Sequence, residues 1–542
     1  MGQEASPDTS TRWRGRHWAL LLLLLGLVLS PVARTFWLAA GWPGNWFDRT
    51  AAGLVLAGAF LSGRGDWVRR FLTPALLCAL GWQWPLGYLI LRLLDAPWAA
   101  RAVALVEWPP RWMLAGLPPK GALWPRRLRF ATLVGLVVAS LTVNSAAFVR
   151  SLGRDVRGID GRWYLRSADT LIRTGQFVGD FLLVDDRSHV PVRAARPPGY
   201  PTFLAGCLIV AGRAQVPLAS ALQCFGQTVA VVLLFTLGES FAGTLGGLCA
   251  GGLGVAYLPF ADAAPSILTE PLAVPLCVAV LWAAVHAYAA GRLVSWAVTG
   301  ALLGAGTLLR CNTIVTPLCL LLVVAVVAWR TRRGLGPVVR SLPMLGGFLL
   351  FMGPWWLRNA LVLHAFVPTV TSTGAHLWAG NDVRTGGRYR ARHYAVATQT
   401  LHACRDSEVL ADRAMMQMAR DEIADNLRRP AALLRLEEFK IRDLVLTPAS
   451  SDPFSACLHV PLLVLAAGGL VGLRRLVPIW FVPAYLVSVV GLHLLSYAGE
   501  ARYFLPVMPC VILLAGVALA SLADGAPVSA PSVSGDDEPS RD

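Results

Sequence analysis

Charge is scarce in this chain: Asp, Glu, Lys and Arg make up 15% of its 542 residues, where a soluble domain carries about 25%. Lysine is nearly missing, with only Lys120 and Lys440 present, so the formal charge of +16 is almost entirely arginine. Much of that arginine lies in short stretches between apolar runs, such as Arg126-Arg127-Leu128-Arg129 and Arg330-Thr331-Arg332-Arg333. No polar segment carries a basic stripe interleaved with aromatics, which excludes a nucleic-acid partner. The ten cysteines form no CxxC pair and no metal-ligand spacing. Cys78, Cys207, Cys224 and Cys319 fall inside apolar runs and read as small core residues. Cys404 and Cys457 fall in or beside a polar loop, where a disulfide is chemically permitted. A small-residue cleavage site is also lacking after the first apolar run, because Ser30-Pro31-Val32-Ala33 is a poor one; the run reads as an uncleaved helix.

What is abundant is apolar sequence. Hydrophobic residues reach 55% and mean hydropathy is +0.56, in runs that recur at helix-spanning length. Roughly 20 such residues cross a bilayer core, and a closed helix satisfies its own backbone there. The expected fold is therefore an all-α polytopic membrane protein with about 13–14 transmembrane helices. The expected spans lie near 18–40, 50–63, 71–94, 99–116, 130–149, 219–240, 244–261, 267–290, 295–310, 313–329, 341–361, 456–473, 477–497 and 503–523. The stretch 197–212 reads as re-entrant or juxtamembrane, since a full crossing there would turn the arginines at 330–333 outward. Residues 1–128 then hold extra helices of unknown role, 129–523 the main membrane domain, and 524–542 a disordered cytoplasmic tail rich in Ser, Pro, Gly and Asp.

With the N-terminus inside, alternation puts Arg292, Arg330, Arg332, Arg333, Arg340, Arg474 and Arg475 on the cytoplasmic side. Two large polar loops, 150–196 and 362–455, share the outer side with the short turns at 262–270 and 499–503. The second loop contains a helical stretch at about 408–440. Polar segments far apart in sequence thus converge on one face.

The first loop reads Gly158-Ile159-Asp160-Gly161-Arg162-Trp163-Tyr164, continuing through Ala168 to Gly175. Asp160, Tyr164 and Ala168 are four apart and share a helical face, with Asp160 where the helix dipole favours a carboxylate. Spacing alone allows a plain N-cap. Glu270, in Leu268-Thr269-Glu270-Pro271, opens a span, where an acid among apolar neighbours is costly unless paired or functional. Arg310, Arg358 and Arg502 stand at outer helix ends, the last two beside aromatics. Each alone could be an interfacial anchor; three together with two carboxylates suit an anionic ligand such as a phosphate.

These strings, in order, resemble the family 39 glycosyltransferases, bacterial relatives of protein O-mannosyltransferases and of the lipid A aminoarabinose transferase. The matching segments begin with Asp160-x3-Tyr164-x3-Ala168 and Arg196-Pro197-Pro198-Gly199-Tyr200-Pro201, then Thr269-Glu270-Pro271 and Pro354-Trp355-Trp356-Leu357-Arg358-Asn359. They continue with Ser372-Thr373-Gly374-Ala375-His376-Leu377-Trp378-Ala379-Gly380-Asn381, the helix at 419–426 leading to Arg429-Pro430, and Ala501-Arg502-Tyr503-Phe504-Leu505-Pro506. The match spans about residues 150–520. It departs in the residues before 130, which the family core lacks, and in Gly161, where protein mannosyltransferases carry a second acid.

The resemblance implies a GT-C-like helical bundle with juxtamembrane helices in its outer loops. It implies an enzyme of the cytoplasmic membrane, its site facing outward or to the periplasm, using a polyprenyl-phosphate-linked sugar donor and a cell-envelope acceptor. Asp160 would act as catalytic base and Glu270 would orient the acceptor. Tyr164, Arg196, Arg310, Arg358, Arg502 and Tyr503 would bind substrate, and a divalent cation, magnesium or manganese, stays open at Asp160 and Glu270. His376 could bind a metal or substrate, though a loop histidine usually does neither. A lipid-linked glycan flippase, an O-antigen-type polymerase or ligase, and a membrane scaffold are the rival readings. A flippase would need charges along a mid-membrane path, whereas these cluster at one face. Maleimide labelling of cysteines placed in the 331–340 loop of intact cells should fail from outside; efficient labelling there would invert the topology.

Overall fold

The computed structural model describes residues 124–181, 190–450, 453–473, 477–496 and 499–524. The spans expected before residue 117, Cys78, Arg474, Arg475 and the tail beyond 524 lie outside the described residues. Among the described residues, seven helical stretches are long and apolar enough to cross a membrane, with two shorter apolar helices, Leu293–Leu309 and Ser455–Val471, beside them. The described residues are all-α apart from one antiparallel strand pair, β1 (Gly179–Phe181) and β2 (Val190–Val192).

In chain order, α1 (Arg126–Ser151) leads into the first polar segment, which holds α2 (Gly158–Thr174) and the strand pair. Next come α3 (Gly199–Ala211), α4 (Gln215–Ala256), α5 (Pro259–Ala263), α6 (Glu270–Ala290), α7 (Leu293–Leu309), α8 (Thr316–Arg330), α9 (Gly336–Ser341) and α10 (Pro343–Leu363). The second polar segment folds as α11 (Thr373–Asn381), α12 (Ala391–Ala403), α13 (Glu408–Leu427) and α14 (Pro430–Ile441), closed by a π-turn over Arg442–Leu446. The single helix expected near 408–440 is thus two, broken at Arg429, because Pro430 restricts the residue before it to extended backbone. Finally α15 (Pro453–Leu473), α16 (Phe481–Ser496), a 3₁₀ turn over Ala501–Val507 and α17 (Met508–Asp524) complete the bundle.

Although helical at both ends, α4 is two antiparallel legs. At Ala242 and Gly243 the backbone leaves the helix, with φ of 66° at Gly243, a value that costs glycine nothing. A Cβ on Gly246 would lie 2.5 Å from the Gly238 carbonyl oxygen, and one on Gly247 would lie 2.7 Å from that of Phe235. Glycine therefore lets the two backbones touch, as small residues do between membrane helices. The split matches the two spans expected at 219–240 and 244–261. At this turn Arg129 reaches across to Glu239 with two hydrogen bonds of 2.6 and 2.5 Å. Both side chains are buried, and Thr244 donates to the same carboxylate.

Over 197–212 the chain folds back on the start of α4. Tyr200 Oη donates to Gln223 Oε1 at 2.7 Å, and Gln215 Nε2 donates to the Leu204 carbonyl at 2.8 Å. So α3 runs antiparallel to the start of α4, with a reversal at Gly212 (φ 51°). Thirteen residues of helix extend only about 20 Å. By helix order, Arg292 after α6, Arg330, Arg332 and Arg333 at and just after the end of α8, and Arg340 in α9 fall at the helix ends opposite those that lead into the two polar segments.

Close packing recurs between α7 and α10, which run side by side. A Cβ on Gly347 would fall 1.9 Å from the Ala297 carbonyl oxygen, and one on Gly300 1.8 Å from that of Met344. Val134, Val138, Leu322 and Leu350 face outward, as lipid-facing side chains do. Gly347→Ala should therefore destabilise the bundle by about 1–3 kcal/mol, the usual cost of overpacking. Thermal melting in detergent tests this, and an unchanged melt would contradict so close an approach of α7 to α10.

Candidate functional site

Asp160 sits in the first turn of α2, yet it caps no backbone N–H. Its Oδ1 accepts from Arg196 Nη2 at 2.9 Å and its Oδ2 from Arg502 Nη2 at 3.0 Å. The glycine that follows has a structural reason: a Cβ at 161 would lie 2.8 Å from the Ile267 carbonyl oxygen. Ile267 N–H in turn donates to the Val156 carbonyl at 2.9 Å. The start of α2 is thus pressed against the backbone that leads into α6, which brings Asp160 beside Glu270. A second acid at 161 would not fit this contact.

Glu270 begins α6 and is buried. Arg310 Nη1 lies 3.1 Å from its Oε1 and also donates to Thr269 Oγ1 at 2.8 Å. Thr269 Oγ1 donates to Glu270 Oε2 at 3.2 Å. Arg502 completes the set, with Nε 3.9 Å from Glu270 Oε1 and in direct contact with Glu500. One guanidinium therefore bridges the two predicted carboxylates, which lie 110 positions apart in the sequence (270 minus 160).

Aromatic rings hold these cations. The Tyr503 ring lies beneath both Arg310, at 5.4 Å, and Arg502, at 5.2 Å. On its other contact it stacks on His493 at 5.4 Å, and His493 is fixed by Asn312 at 2.6 Å. Arg196 lies over Trp163 and Tyr164, and Tyr164 packs edge-on against Tyr200. Cation–π contacts of this kind favour an arginine where water is sparse.

Several side chains that sequence reasoning passed over hold the frame. Gln223 Nε2 donates to the carbonyls of Ala264 and Ser266, at 2.8 and 2.9 Å, while its Oε1 accepts from Tyr200. One turn on, Gln227 Nε2 donates to the Pro271 carbonyl at 2.6 Å. That carbonyl would serve the N–H of residue 275, but residue 275 is proline and has none. Along with Ser220, which donates to the Pro265 carbonyl, these amides grip the segment that presents Glu270. Glu408 does the same for Arg196. Its carboxylate accepts from the N–H of Arg193 (2.8 Å) and of Ala194 (3.0 Å), and from Thr371 Oγ1 at 2.6 Å. Thr371 N–H donates to the Ala194 carbonyl and Ser372 Oγ to that of Ala195, both at 2.9 Å. The two polar segments are stapled together immediately before Arg196. Neither feature has a signal in the sequence, because each acts on backbone from another part of the chain.

Arg358 stands apart from the carboxylates. Its Nη1 donates to the Arg193 carbonyl at 2.8 Å and its Nη2 to that of Phe177 at 2.9 Å, with Phe177 and Trp355 stacked around it. It clamps the first polar segment from below. Asp160, Glu270, Tyr164, Arg196, Arg310, Arg502 and Tyr503 come together. The second segment adds His376 and Tyr394, which are close enough for the charges of Asp160 and Arg196 to act on both. Among the described residues no three His, Cys, Asp or Glu side chains form a metal-binding group.

Burial opposes the Asp160 charge, but the guanidiniums of Arg196 and Arg502 outweigh it and hold the carboxyl below its ordinary value. Burial pushes the Tyr164 phenol up to about 12. Burial, and then Arg196, press His376 below its ordinary value; its Nδ1–H donates to the Ser372 carbonyl at 2.7 Å.

No family model matches the chain, and no curated protein matches it. Among solved structures, the Archaeoglobus fulgidus oligosaccharyltransferase in the apo form is similar over 71% of this chain and 50% of that one, at 13% identity and a TM-score of 0.46. ArnT from Cupriavidus metallidurans bound to undecaprenyl phosphate is similar over 72% of this chain and 78% of that one, at 16% identity and a TM-score of 0.33. The chain spans half the length of the oligosaccharyltransferase it matches.

The lowered Asp160 value has a fixed sign for stability. Its ion pairs contribute fully above the unfolded carboxyl value of 3.8 and are lost as pH falls through the lower folded value. The melting-temperature difference between wild type and Asp160→Asn should stay level from about pH 7 to 5 and shrink below about pH 4. A difference that grows on acidification would contradict the pairing.

Proposed function

We propose that this protein is an integral membrane glycosyltransferase on a GT-C-like bundle. It moves a sugar from a polyprenyl-phosphate-linked donor to a cell-envelope acceptor, whether lipid, glycan or protein, at the outer face of the cytoplasmic membrane. The observation that carries the reading is the Asp160–Arg502–Glu270 bridge at one end of the apolar helices. A lipid-borne donor keeps its prenyl chain among such helices while its phosphate and sugar reach their ends. The opposite end carries Arg292, Arg330, Arg332, Arg333 and Arg340, the bias of a cytoplasmic side.

The chemistry follows from the charges. The acceptor hydroxyl oxygen bonds to the anomeric carbon as the bond from that carbon to the phosphate oxygen breaks. The hydroxyl proton passes to a carboxylate, and Asp160 is the candidate. Glu270, buried and fixed by Arg310 and Thr269, is placed to orient Arg502 and the acceptor rather than to shuttle protons. The leaving phosphate gains negative charge, which Arg502, Arg310 and Arg196 would stabilise from fixed positions. Single displacement inverts the anomeric configuration. The carboxylate oxygens face guanidiniums and Thr269, so this reading assigns the positive charge to the three arginines and leaves a divalent cation to the chelator test.

Asp160→Asn in purified protein should lower release of undecaprenyl phosphate, assayed across a panel of undecaprenyl-phosphate hexoses and pentoses, by about 100-fold or more. The variant should still melt cooperatively, and EDTA should leave the wild-type rate unchanged. Full activity of Asp160→Asn would remove it as base, and loss of activity in EDTA would restore a metal.

A further inference from the structure

Three carboxylates surround Arg502, and they are not equivalent. Glu270 leaves 4% of its side chain exposed and Asp160 23%, and both are tied to a second arginine, Arg310 and Arg196 respectively. Glu500 is 53% exposed and approaches Arg502 from the open side. Although Arg502 Nε lies against Glu500, its N–H is buried and donates to no acceptor in hydrogen-bonding geometry. Glu270 also reaches Arg502 without a hydrogen bond, but it is buried and held by Arg310. Glu500 is exposed and, among the described ion pairs, pairs with Arg502 alone, so it is the most easily released of the three. Charge also balances locally: Asp160, Glu270 and Glu500 offset Arg196, Arg310 and Arg502. An entering anion must therefore take an arginine from a carboxylate that already holds it.

We propose that Glu500 is a resident anion, which holds Arg502 in the empty site and is displaced when a phosphate monoester or diester binds there. The inference rests on the reading of the site as a lipid-phosphate site. Glu500 swings toward solvent at little cost, while Asp160 and Glu270 are kept in place by Arg196 and Arg310. The phosphate offers Arg502 Nε–H an oxygen in bonding geometry, and a guanidinium suits a phosphate through parallel N–H donors. Glu500 thereby sets donor affinity by competition and takes no part in the chemistry.

The competition has a counterintuitive consequence: removing an acid from the site should tighten binding. Farnesyl phosphate serves as probe, with farnesol as uncharged control, and tryptophan fluorescence of the full-length protein in detergent reports binding. Glu500→Gln should bind farnesyl phosphate about two- to five-fold more tightly than wild type, the size expected of a partly exposed ion pair, with farnesol unaffected. Placing Glu500→Gln in an Arg502→Ala background should abolish that gain. Weaker or equal binding by Glu500→Gln, while wild type binds and Arg502→Ala does not, would overturn the competition and leave the phosphate site standing. Binding of farnesyl phosphate that ignores Arg502, or no binding by either protein, would overturn both. A gain that persists without Arg502, or extends to farnesol, would assign it to a general change in charge and likewise overturn the proposal.

Discussion

A carboxylate placed at the end of an apolar bundle loses much of its hydration, and several kcal/mol must be recovered through charge partners. Here each acid has an arginine of its own, Arg196 for Asp160 and Arg310 for Glu270, and one further guanidinium, that of Arg502, links the two. Arg502 hydrogen-bonds Asp160 and lies 3.9 Å from Glu270, so neither acid is positioned independently of the 3₁₀ turn over Ala501–Val507. Arg196 and Arg310 hold the other side of each carboxylate. With Glu500 on its exposed side the cluster is neutral, and the guanidiniums of Arg196 and Arg502 hold the Asp160 carboxyl below its ordinary value.

The rest of the site end serves that cluster. The amide side chains of α4 hold the backbone that presents Glu270, and Gln227 fills the hydrogen bond that Pro275 leaves vacant. Glu408, Thr371 and Ser372 join the two polar segments at the backbone just ahead of Arg196. Further along the second segment, Lys440 Nζ donates to the Leu494 carbonyl and Asn381 Nδ2 to that of Leu495. Both bonds occupy carbonyls in the last turn of α16, which have no helical partner. The second segment is thereby seated on the helix that carries His493, and His493 supports Tyr503 beneath the arginines. Residues drawn from most of the described chain bear on one guanidinium.

Helices were legible because an apolar run has to satisfy its backbone internally and declares its length. The break of α4 at Gly243 and the spans at α6, α7, α8 and α10 follow from composition and from glycine's freedom at positive φ. Glu270 and Arg310 were legible as charges misplaced among apolar neighbours. Glu500 was not, because an exposed acid near a helix end is unremarkable until its partner is known. Gln223 and Glu408 were equally silent: a glutamine in a span or a glutamate opening a loop helix has no period and no motif, and each acts on backbone that comes from another part of the chain. Arg358 shows the opposite error of weight, since its place among tryptophans at a helix end suits phosphate binding and backbone clamping alike; the carbonyls of Phe177 and Arg193 occupy it here.

By itself, then, the sequence determined that this is a membrane protein of many helices, that its arginines divide by side, and that Asp160, Glu270 and Arg502 belong to one face. Hydropathy and charge carry that information because they act on each residue locally, through transfer into or out of a bilayer. The tertiary structure alone decided which charges touch: that Arg502 spans both acids, that Arg358 turns away to hold backbone, and that Glu500 joins from the open side. Arg502 and Asp160 are 342 positions apart, and Arg358 lies 181 and 165 positions from the carbonyls it holds; such distances are set by glycine contacts, amide grips and helix ends that no single segment contains.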